Sequence, residues 1–194
     1  MPVRDEIRQF EDEMVSWRRD LHAHPELGFA ENRTSAFIQE RLKSLAVDEI
    51  HGFTGTGVVA VIRGRDGDGA IGLRADIDAL PIPEESGVPH ASTNPGVMHA
   101  CGHDGHTTML LGAAKYLAAS RKFKGTAYLI FQPAEEIGGG PEGLGNAPGQ
   151  PADVPFDGLA DIVVEPPRCP SQHCLARNHI RRHARLEAAD GDDR

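Results

Sequence analysis

The segment GTAYLIFQPAEE, residues 125–136, sets the organisation of the chain. Residues 126–131 form a short run of aliphatic, aromatic and β-branched side chains, which predicts a strand near the centre of a sheet. Two adjacent carboxylates, Glu135 and Glu136, follow this strand. Because ligand sites in α/β proteins lie beyond the carboxyl ends of strands, we expect the pair near a ligand.

Helical and extended patterns alternate along the chain before this strand. Apolar residues recur every three or four positions between Ile7 and Leu21, which predicts an amphipathic helix at about 3–21. The Asp-Gly-Asp-Gly sequence at 66–69 is typical of a hairpin turn. The other predicted elements are strands at 58–62 and 70–75 and helices at about 34–45 and 105–119. The alternation predicts an α/β fold, a mixed sheet flanked by helices.

The sequence HACGHDGH, residues 99–106, is the densest cluster of potential metal ligands. Thiolate sulfur and imidazole nitrogen are the preferred ligands of zinc, and Cys101 and His103 can face one ion from an extended loop. Asp104, or another carboxylate nearby, could orient a ligand imidazole. The alternative is a polar loop with a structural cysteine, but the density of ligand types favours metal binding.

Two carboxylate pairs fall at predicted strand ends. In the first, Glu135 and Glu136, one carboxylate could ligate a metal while the other acts as a general base, although adjacent glutamates are usually solvated. In the second, Asp76 and Asp78 alternate by two and share one face of an extended segment. The second pair could support a ligand, and it is equally consistent with a capped turn.

Two further histidines, His22 and His24, lie at the end of the first predicted helix. Their side chains are of a type that ligates metals. However, a histidine near a helix C-terminus also interacts favourably with the helix dipole. We therefore interpret both as helix-terminal residues rather than ligands.

Composition excludes several classes of protein. The chain has 194 residues and a net charge of −9, and it has no basic stripe that would bind nucleic acid. No apolar run reaches the ~18–20 residues of a membrane-spanning helix, and the charged N-terminus lacks the pattern of a signal peptide. Three cysteines do not form a disulfide framework. We therefore expect a soluble, cytoplasmic protein without a nucleic-acid or membrane partner.

Four motifs resemble the metal-dependent amidohydrolases, the family of hippurate hydrolase, N-acyl-L-amino acid amidohydrolase and indole-acetyl-amino-acid hydrolases in the zinc peptidase superfamily. The motifs are WRRDLHAHPELGFAEN at 17–32, LRADIDALPIPE at 73–84, MHACGHDGHTTMLLGAA at 98–114 and GTAYLIFQPAEE at 125–136. They occur in the family's order and approximate spacing. The resemblance implies an N-terminal part of a zinc-peptidase-like catalytic domain over residues 1–136.

The resemblance also implies roles for particular residues. Cys101, His103 and Glu136 match metal ligands, and Glu135 matches the catalytic base. Asp76 and Asp78 match a supporting region. The implied ion is divalent, zinc first, with manganese, cobalt or nickel as alternatives. The implied reaction is hydrolysis of the amide bond of small N-acyl amino acids, such as hippurate, by a metal-activated water.

The composition changes after Glu136. Residues 137–194 contain one aromatic residue, Phe156, no lysine, and seven of the 14 prolines, a composition that disfavours a packed core. We expect this segment to be a divergent, poorly structured tail and hypothesise that it is a frame-shifted product. Translating the gene in all three frames tests this hypothesis. The tail's Cys and His residues at 169–183 form either a minimal zinc knot or a chance enrichment.

Family members are longer than this chain, and they can dimerise through a domain that would be absent here. The resemblance therefore leaves two functions open. The first is a metal-dependent amidohydrolase with Glu135 as general base. The alternative is a truncated, catalytically inactive fragment that binds metal weakly at most.

Overall fold

A computed structural model of the chain describes residues 5–138 and 161–163. Its helices and strands alternate as the sequence predicts. In chain order they are α1 Asp5–Arg8, α2 Glu11–Ala23, α3 Asn32–Ser44, β1 Glu49–Phe53, β2 Gly57–Arg63, β3 Arg65–Asp76, α4 His103–Ser120, β4 Lys124–Gln132, a 3-10 turn Glu135–Ile137 and β5 Asp161–Val163. No helix in these ranges is long and apolar enough to cross a membrane.

The strands form one mixed sheet in the order β1-β2-β4-β3-β5. β2 pairs antiparallel with β1 and β4, and β3 pairs parallel with β4 and β5. β3 therefore reaches β4 through the crossover that contains α4, since parallel neighbours cannot be joined by a tight turn. As a result, β3 and β4 end at the same edge of the sheet, where Asp76 pairs with Gln132.

The main hydrophobic core lies between one face of the sheet and helices α2, α3 and α4. Alternate residues of β2 and β4, such as Val58 and Leu129, enter this core beside Trp17, Ile38 and Leu110, all of them buried. The residues between them face a smaller cluster on the other side, formed by Phe53, Val59 and Ile130. The central strands are therefore buried on both faces, which is why they consist of nearly continuous apolar runs.

The predicted hairpin at 66–69 is wrong. β3 already begins at Arg65, and it pairs with β4 instead of β2. The Asp-Gly residues lie in an exposed part of β3 where the register shifts between Arg65 and Ala70. The Asp-Gly sequence reports only a local preference for a turn. The hairpin cannot form because β2 is hydrogen-bonded to β1 on one edge and to β4 on the other, which leaves no edge for β3.

The first predicted helix is divided. It becomes α1 and α2, separated around Phe10, whose φ of −98° and ψ of 2° lie outside the helical region. Glu11, Asp12 and Glu13 then fill the first turn of α2, where carboxylates interact favourably with the helix dipole. The apolar seam continues across the break through Met14 to Trp17. Strand β1 was not predicted from the sequence, because its residues, EIHGF, carry little apolar alternation.

The segment predicted as a tail, 137–194, falls mostly outside the described residues. Within it the structure describes 137–138 and β5, and it pairs β5 with β3 at the edge of the sheet. The predicted Cys and His motif at 169–183 lies outside the described residues. The division at residue 136 and the frame-shift hypothesis therefore stay predictions.

Candidate metal centre

The predicted site residues come together at the edge of the sheet where β3 and β4 end. Asp76 is the last residue of β3, and His103 is the first residue of α4. Gly102, just before the helix, has φ of +92°, a conformation that glycine adopts without strain. Glu135 and Glu136 lie in the 3-10 turn that follows β4. The sheet topology thus brings together residues that are up to 60 positions apart (136 − 76).

Asp78 orients both His103 and Glu136. The His103 Nδ1 donates to the backbone oxygen of Asp78 at 2.9 Å and lies 3.2 Å from its carboxylate Oδ1. The other oxygen of Asp78, Oδ2, accepts the backbone N–H of Glu136 at 2.9 Å. The Asp78 carboxylate is buried, so these bonds are shielded from competition by water. Asp78, rather than Asp104, is therefore the carboxylate that orients the His103 imidazole.

The other ring nitrogen of His103 faces a group of carboxylate oxygens. Its Nε2 lies 3.8 Å from Asp76 Oδ1, 3.8 Å from Glu136 Oε1 and 3.9 Å from Glu135 Oε2. These separations are too long for hydrogen bonds. They match the spacing of ligand atoms that share one ion, each at about 2.0–2.3 Å from it. Potential ligand atoms of Cys101, His103 and Glu136 all lie within 4.8 Å of one another.

These residues fit a divalent ion. They offer one sulfur, one nitrogen and one oxygen, a donor set that suits zinc and leaves a fourth position open. The Oε1 atom of Glu136 is buried and has no hydrogen-bond partner among the described residues, as expected of an atom that ligates a cation. Burial disfavours a charged imidazole, yet the hydrogen bonds of His103 with Asp78 and Cys101 raise its pKa to about 11. The site therefore attracts positive charge.

A second group of potential ligands shares His103. It consists of Asp76, His103 and His106, whose ligand atoms also lie within 4.8 Å of one another. His106 Nδ1 contacts Asp76 Oδ1 at 2.5 Å. Burial favours the neutral acid, but this hydrogen bond lowers the pKa of Asp76 to about 2. Asp76 is therefore a permanent negative charge beside the candidate metal centre.

Glu135 belongs to neither group of potential ligands. Its side chain is 39% exposed and therefore borders solvent. Burial, and next the negative charge of Asp76, raise the pKa of Glu135. A carboxylate with a raised pKa accepts a proton more readily, as general-base catalysis requires.

The remaining histidines form a separate network beside the centre. His22 Nδ1 contacts Asp104 Oδ2 at 2.9 Å, and His22 Nε2 contacts Glu84 Oε1 at 3.2 Å. Arg18 also donates to Asp104. His99 is buried, and burial lowers its pKa to about 4. None of these residues belongs to a potential metal-binding group in the described part of the chain.

The interpretation of His22 as a helix-terminal residue identifies its position but misses its contacts. His22 does lie in the last turn of α2, yet its ring is bound by two carboxylates from distant segments. His24 does bond to its own helix, at the backbone oxygen of Asp20. Two glutamates were not singled out from the sequence: Glu31, which is buried, and Glu84, whose side chain is 3% exposed. No local pattern distinguishes them from surface glutamates.

Comparisons with known proteins identify the family of the chain. The sequence profile of peptidase family M20/M25/M40 matches residues 72–178. The chain is 47% identical over 140 residues to an N-acyl-L-amino acid amidohydrolase of Geobacillus stearothermophilus, a match that covers 70% of this chain and 38% of that protein. It is 47% identical over 139 residues to a hippurate hydrolase of Campylobacter jejuni, covering 72% of this chain and 36% of that protein.

A solved structure shows the same fold. The Bacillus subtilis YXEP protein, described as a dinuclear metal-binding peptidase of family M20, superposes with a TM-score of 0.67 at 46% identity. This match covers 70% of the present chain and 38% of that protein. The chain thus spans a little more than a third of the length of these relatives. The profile match covers more than half of the chain, and the fold agrees with it: the chain belongs to peptidase family M20/M25/M40.

Proposed function

We propose that the chain provides the metal centre and the general base for hydrolysis of the amide bond of N-acyl amino acids. The observation that carries the proposal is the convergence of Cys101, His103 and Glu136 on one point, with Glu135 beside them. The similarity to proteins named N-acyl-L-amino acid amidohydrolase and hippurate hydrolase supports a small, hippurate-like substrate.

Cys101, His103 and Glu136 would hold the metal ion, and zinc suits this donor set best, with manganese, cobalt or nickel as alternatives. When bound, the ion would polarise the amide carbonyl and lower the pKa of an attacking water. By binding Nδ1, Asp78 would keep the Nε2 of His103 available to the ion. The same carboxylate fixes the backbone of Glu136.

Glu135 would perform the proton transfers. Its carboxylate takes one proton from water as the oxygen attacks the acyl carbon, and it then donates that proton to the leaving amino nitrogen. The C–N bond breaks, and the products are a carboxylic acid and a free amino acid. The raised pKa of Glu135 and its partial exposure at the site suit both steps.

Metal analysis and a hydrolysis assay on the 194-residue chain test the proposal together. Elemental analysis after dialysis should find a divalent metal, and hippurate should be cleaved at a rate that depends on Glu135. Glu135→Gln should retain the metal and lose turnover. A chain that holds metal but cleaves no hippurate would favour the alternative, a catalytically inactive fragment.

Three further assignments belong to the same proposal. Residues 1–136 would form the N-terminal part of the catalytic domain, and 137–194 a divergent tail. The protein would act in the cytoplasm, as its low cysteine content indicates. Its partner would be a small N-acyl amino acid.

A further inference from the structure

Glu31 is a buried carboxylate that lies outside the candidate metal centre. Its residue has no exposed surface, and it immediately precedes helix α3 without capping that helix through its side chain. Its Oε2 accepts the hydroxyl proton of Thr56 at 2.6 Å, and its Oε1 accepts the backbone N–H of Ala134 at 2.9 Å. The carboxylate therefore connects the loop before α3 to the end of β4.

Helix α3 is capped by a different glutamate of the same loop. The carboxylate of Glu26 accepts the backbone N–H groups of Arg33 at 3.0 Å and of Thr34 at 2.8 Å. A side-chain acceptor at a helix N-terminus satisfies backbone donors that have no partner within the helix. Glu26 thus performs the ordinary capping role, and Glu31 is left to bind elsewhere.

The residue that Glu31 holds has an unfavourable backbone conformation. Ala134 has φ of +57° and ψ of 34°, the left-handed region that residues with a Cβ atom avoid. Gly28 packs against it so closely that a Cβ on Gly28 would lie 3.0 Å from the Ala134 Cα. The loop before α3 therefore contacts Ala134 both by packing and through the Glu31 hydrogen bond.

Ala134 begins the turn that carries Glu135 and Glu136. Two buried carboxylates bind backbone N–H groups of this turn, Glu31 at Ala134 and Asp78 at Glu136. The side chains of Glu135 and Glu136 are not used in these bonds and are free to face His103.

We propose that Glu31 is a positioning residue of the metal centre. Through the N–H of Ala134 it stabilises the left-handed residue that directs Glu136 towards His103 and Cys101. This inference rests on the proposed role of Glu136 as a metal ligand. It adds the loop before α3 to the structures that shape the site, although that loop supplies no ligand.

A comparison of two glutamine variants tests the inference. Glu31→Gln keeps the side-chain shape but replaces the carboxylate with a neutral amide, in which an NH2 group takes the place of one accepting oxygen. The hydrogen bond that the Ala134 N–H donates is then no longer strengthened by a negative charge. Glu26→Gln makes the same chemical change in the same loop, at the helix cap. Affinity for Co²⁺ is measured by competition with a chelator on the 194-residue chain, at a temperature where circular dichroism shows both variants folded. Glu31→Gln should weaken Co²⁺ binding about 10-fold or more, as loss of a supporting contact does, while Glu26→Gln should stay close to wild type.

Three further measurements test the role of Glu31. The Cys101 thiolate absorption band of bound Co²⁺ should persist in Glu31→Gln, because Cys101 lies on a different loop. In the metal-free chain, hydrogen exchange at the Ala134 amide should be faster in Glu31→Gln than in wild type. Thr56→Val, which removes one donor and leaves Glu31 able to bind Ala134, should retain Co²⁺ affinity. If Glu31→Gln does not fold, Glu31→Asp replaces it, since its shorter carboxylate does not reach both partners.

Equal Co²⁺ affinity for wild type and Glu31→Gln would overturn the inference and leave the proposed metal site standing. An equal loss in Glu26→Gln would also overturn it, since the effect would then be general to the loop. If the wild-type chain binds no Co²⁺, both the inference and the proposed function fail. Unchanged exchange at the Ala134 amide would refute the role of Glu31 independently of any metal.

Discussion

Two histidines near the same sheet edge, the partly buried His22 and the buried His103, have opposite surroundings. His22 is bound on both ring nitrogens by carboxylates, at 2.9 Å and 3.2 Å. His103 binds Asp78 through Nδ1, while its Nε2 faces three carboxylate oxygens at 3.8–3.9 Å. The region around His22 is a closed hydrogen-bond network, and the region around His103 is an open set of potential ligand atoms.

The difference shows that residue types alone do not identify a metal centre. Both regions contain histidine beside buried carboxylates, and both lie close to the start of α4. The two regions differ in their nitrogen–oxygen distances, which are 2.9–3.2 Å around His22 and 3.8–3.9 Å around His103. The first range is that of hydrogen bonds, and the second is that of ligand atoms that share one ion. We expect metal binding and hydrolysis to depend on the residues around His103 and not on those around His22.

Metal removal should have the largest effect, and it should affect only the open region. Treatment with a strong chelator should reduce hippurate cleavage to background, because Cys101, His103 and Glu136 then hold no ion to polarise the substrate. Added Zn²⁺ should restore the activity. His22→Gln should retain the metal content of wild type by elemental analysis, and loss of metal in that variant would contradict the division between the two regions.

Glu135→Gln should lower kcat by about 10²–10⁴-fold, the usual contribution of a general base. Gln cannot accept the proton from water, but it is nearly isosteric, so the metal content should be unchanged. Steady-state kinetics and elemental analysis on the same preparation measure both quantities. Glu85→Gln is a suitable control, since Glu85 is an exposed carboxylate on the loop after β3. If kcat of Glu135→Gln decreased by less than tenfold, Glu135 would be excluded as the general base.

Asp78→Asn should weaken metal binding by about 10–100-fold, as other losses of a carboxylate behind a ligand histidine do. One oxygen of Asp78 orients His103 and the other binds the Glu136 N–H, so the amide serves only one of them well. Chelator competition measures the affinity. Asp104→Asn, which alters the neighbouring carboxylate of the closed network, is the control and should have a smaller effect on metal affinity.

The elements that build the site were largely predictable from the sequence. Helix α4 and strand β4 show clear periodic or continuous apolar patterns, and the ends of β3 and β4 carry the polar residues that meet there. The order of strands was not predictable, because an Asp-Gly sequence favours a hairpin locally and carries no information about β4 as a competing partner. The family resemblance was predicted from the motifs and is confirmed.

The contacts of individual charged residues were the least predictable part. Asp104 follows His103 in sequence and was named, with any nearby carboxylate as the alternative, as a residue that could orient a ligand imidazole; the helix turns it towards His22 and Arg18. Asp78 takes that position from a different segment, 25 residues away. Glu31 likewise binds a residue of a distant segment, Ala134 just after β4. Such pairings arise from the packing of distant segments, which a local pattern does not encode.

The smallest expected effect is on the closed network, and it appears as a dependence of stability on pH. The hydrogen bond to Asp104, and next the one to Glu84, raise the pKa of His22 above 6.5, against the opposing effect of burial. A raised pKa in the folded state means that His22 stabilises the fold fully below 6.5. This stabilisation is lost as the pH rises through the folded-state pKa.

Other charged groups around His22 set the window for the measurement. They are Arg18 on α2, Asp104 on α4, Glu84 and His90 on the loop after β3, and His99. Burial lowers the pKa of His99 to about 4, so His99 makes the fold more stable as the pH rises from about 4 to about 6.5. Its contribution is constant at higher pH. His103, whose pKa is raised to about 11, also loses stabilisation as the pH rises above about 6.5. The difference between wild type and His22→Gln above about pH 7 therefore isolates His22.

The free energy of unfolding by urea should fall as the pH rises above about 7, and it should fall less in His22→Gln, which has no titrating ring. Glu84→Gln removes one of the two carboxylates and should give an intermediate decrease. Metal affinity in His22→Gln should stay near that of wild type, because its ring contacts no ligand. A slope that is identical in wild type and His22→Gln would show that the closed network does not hold a proton on His22.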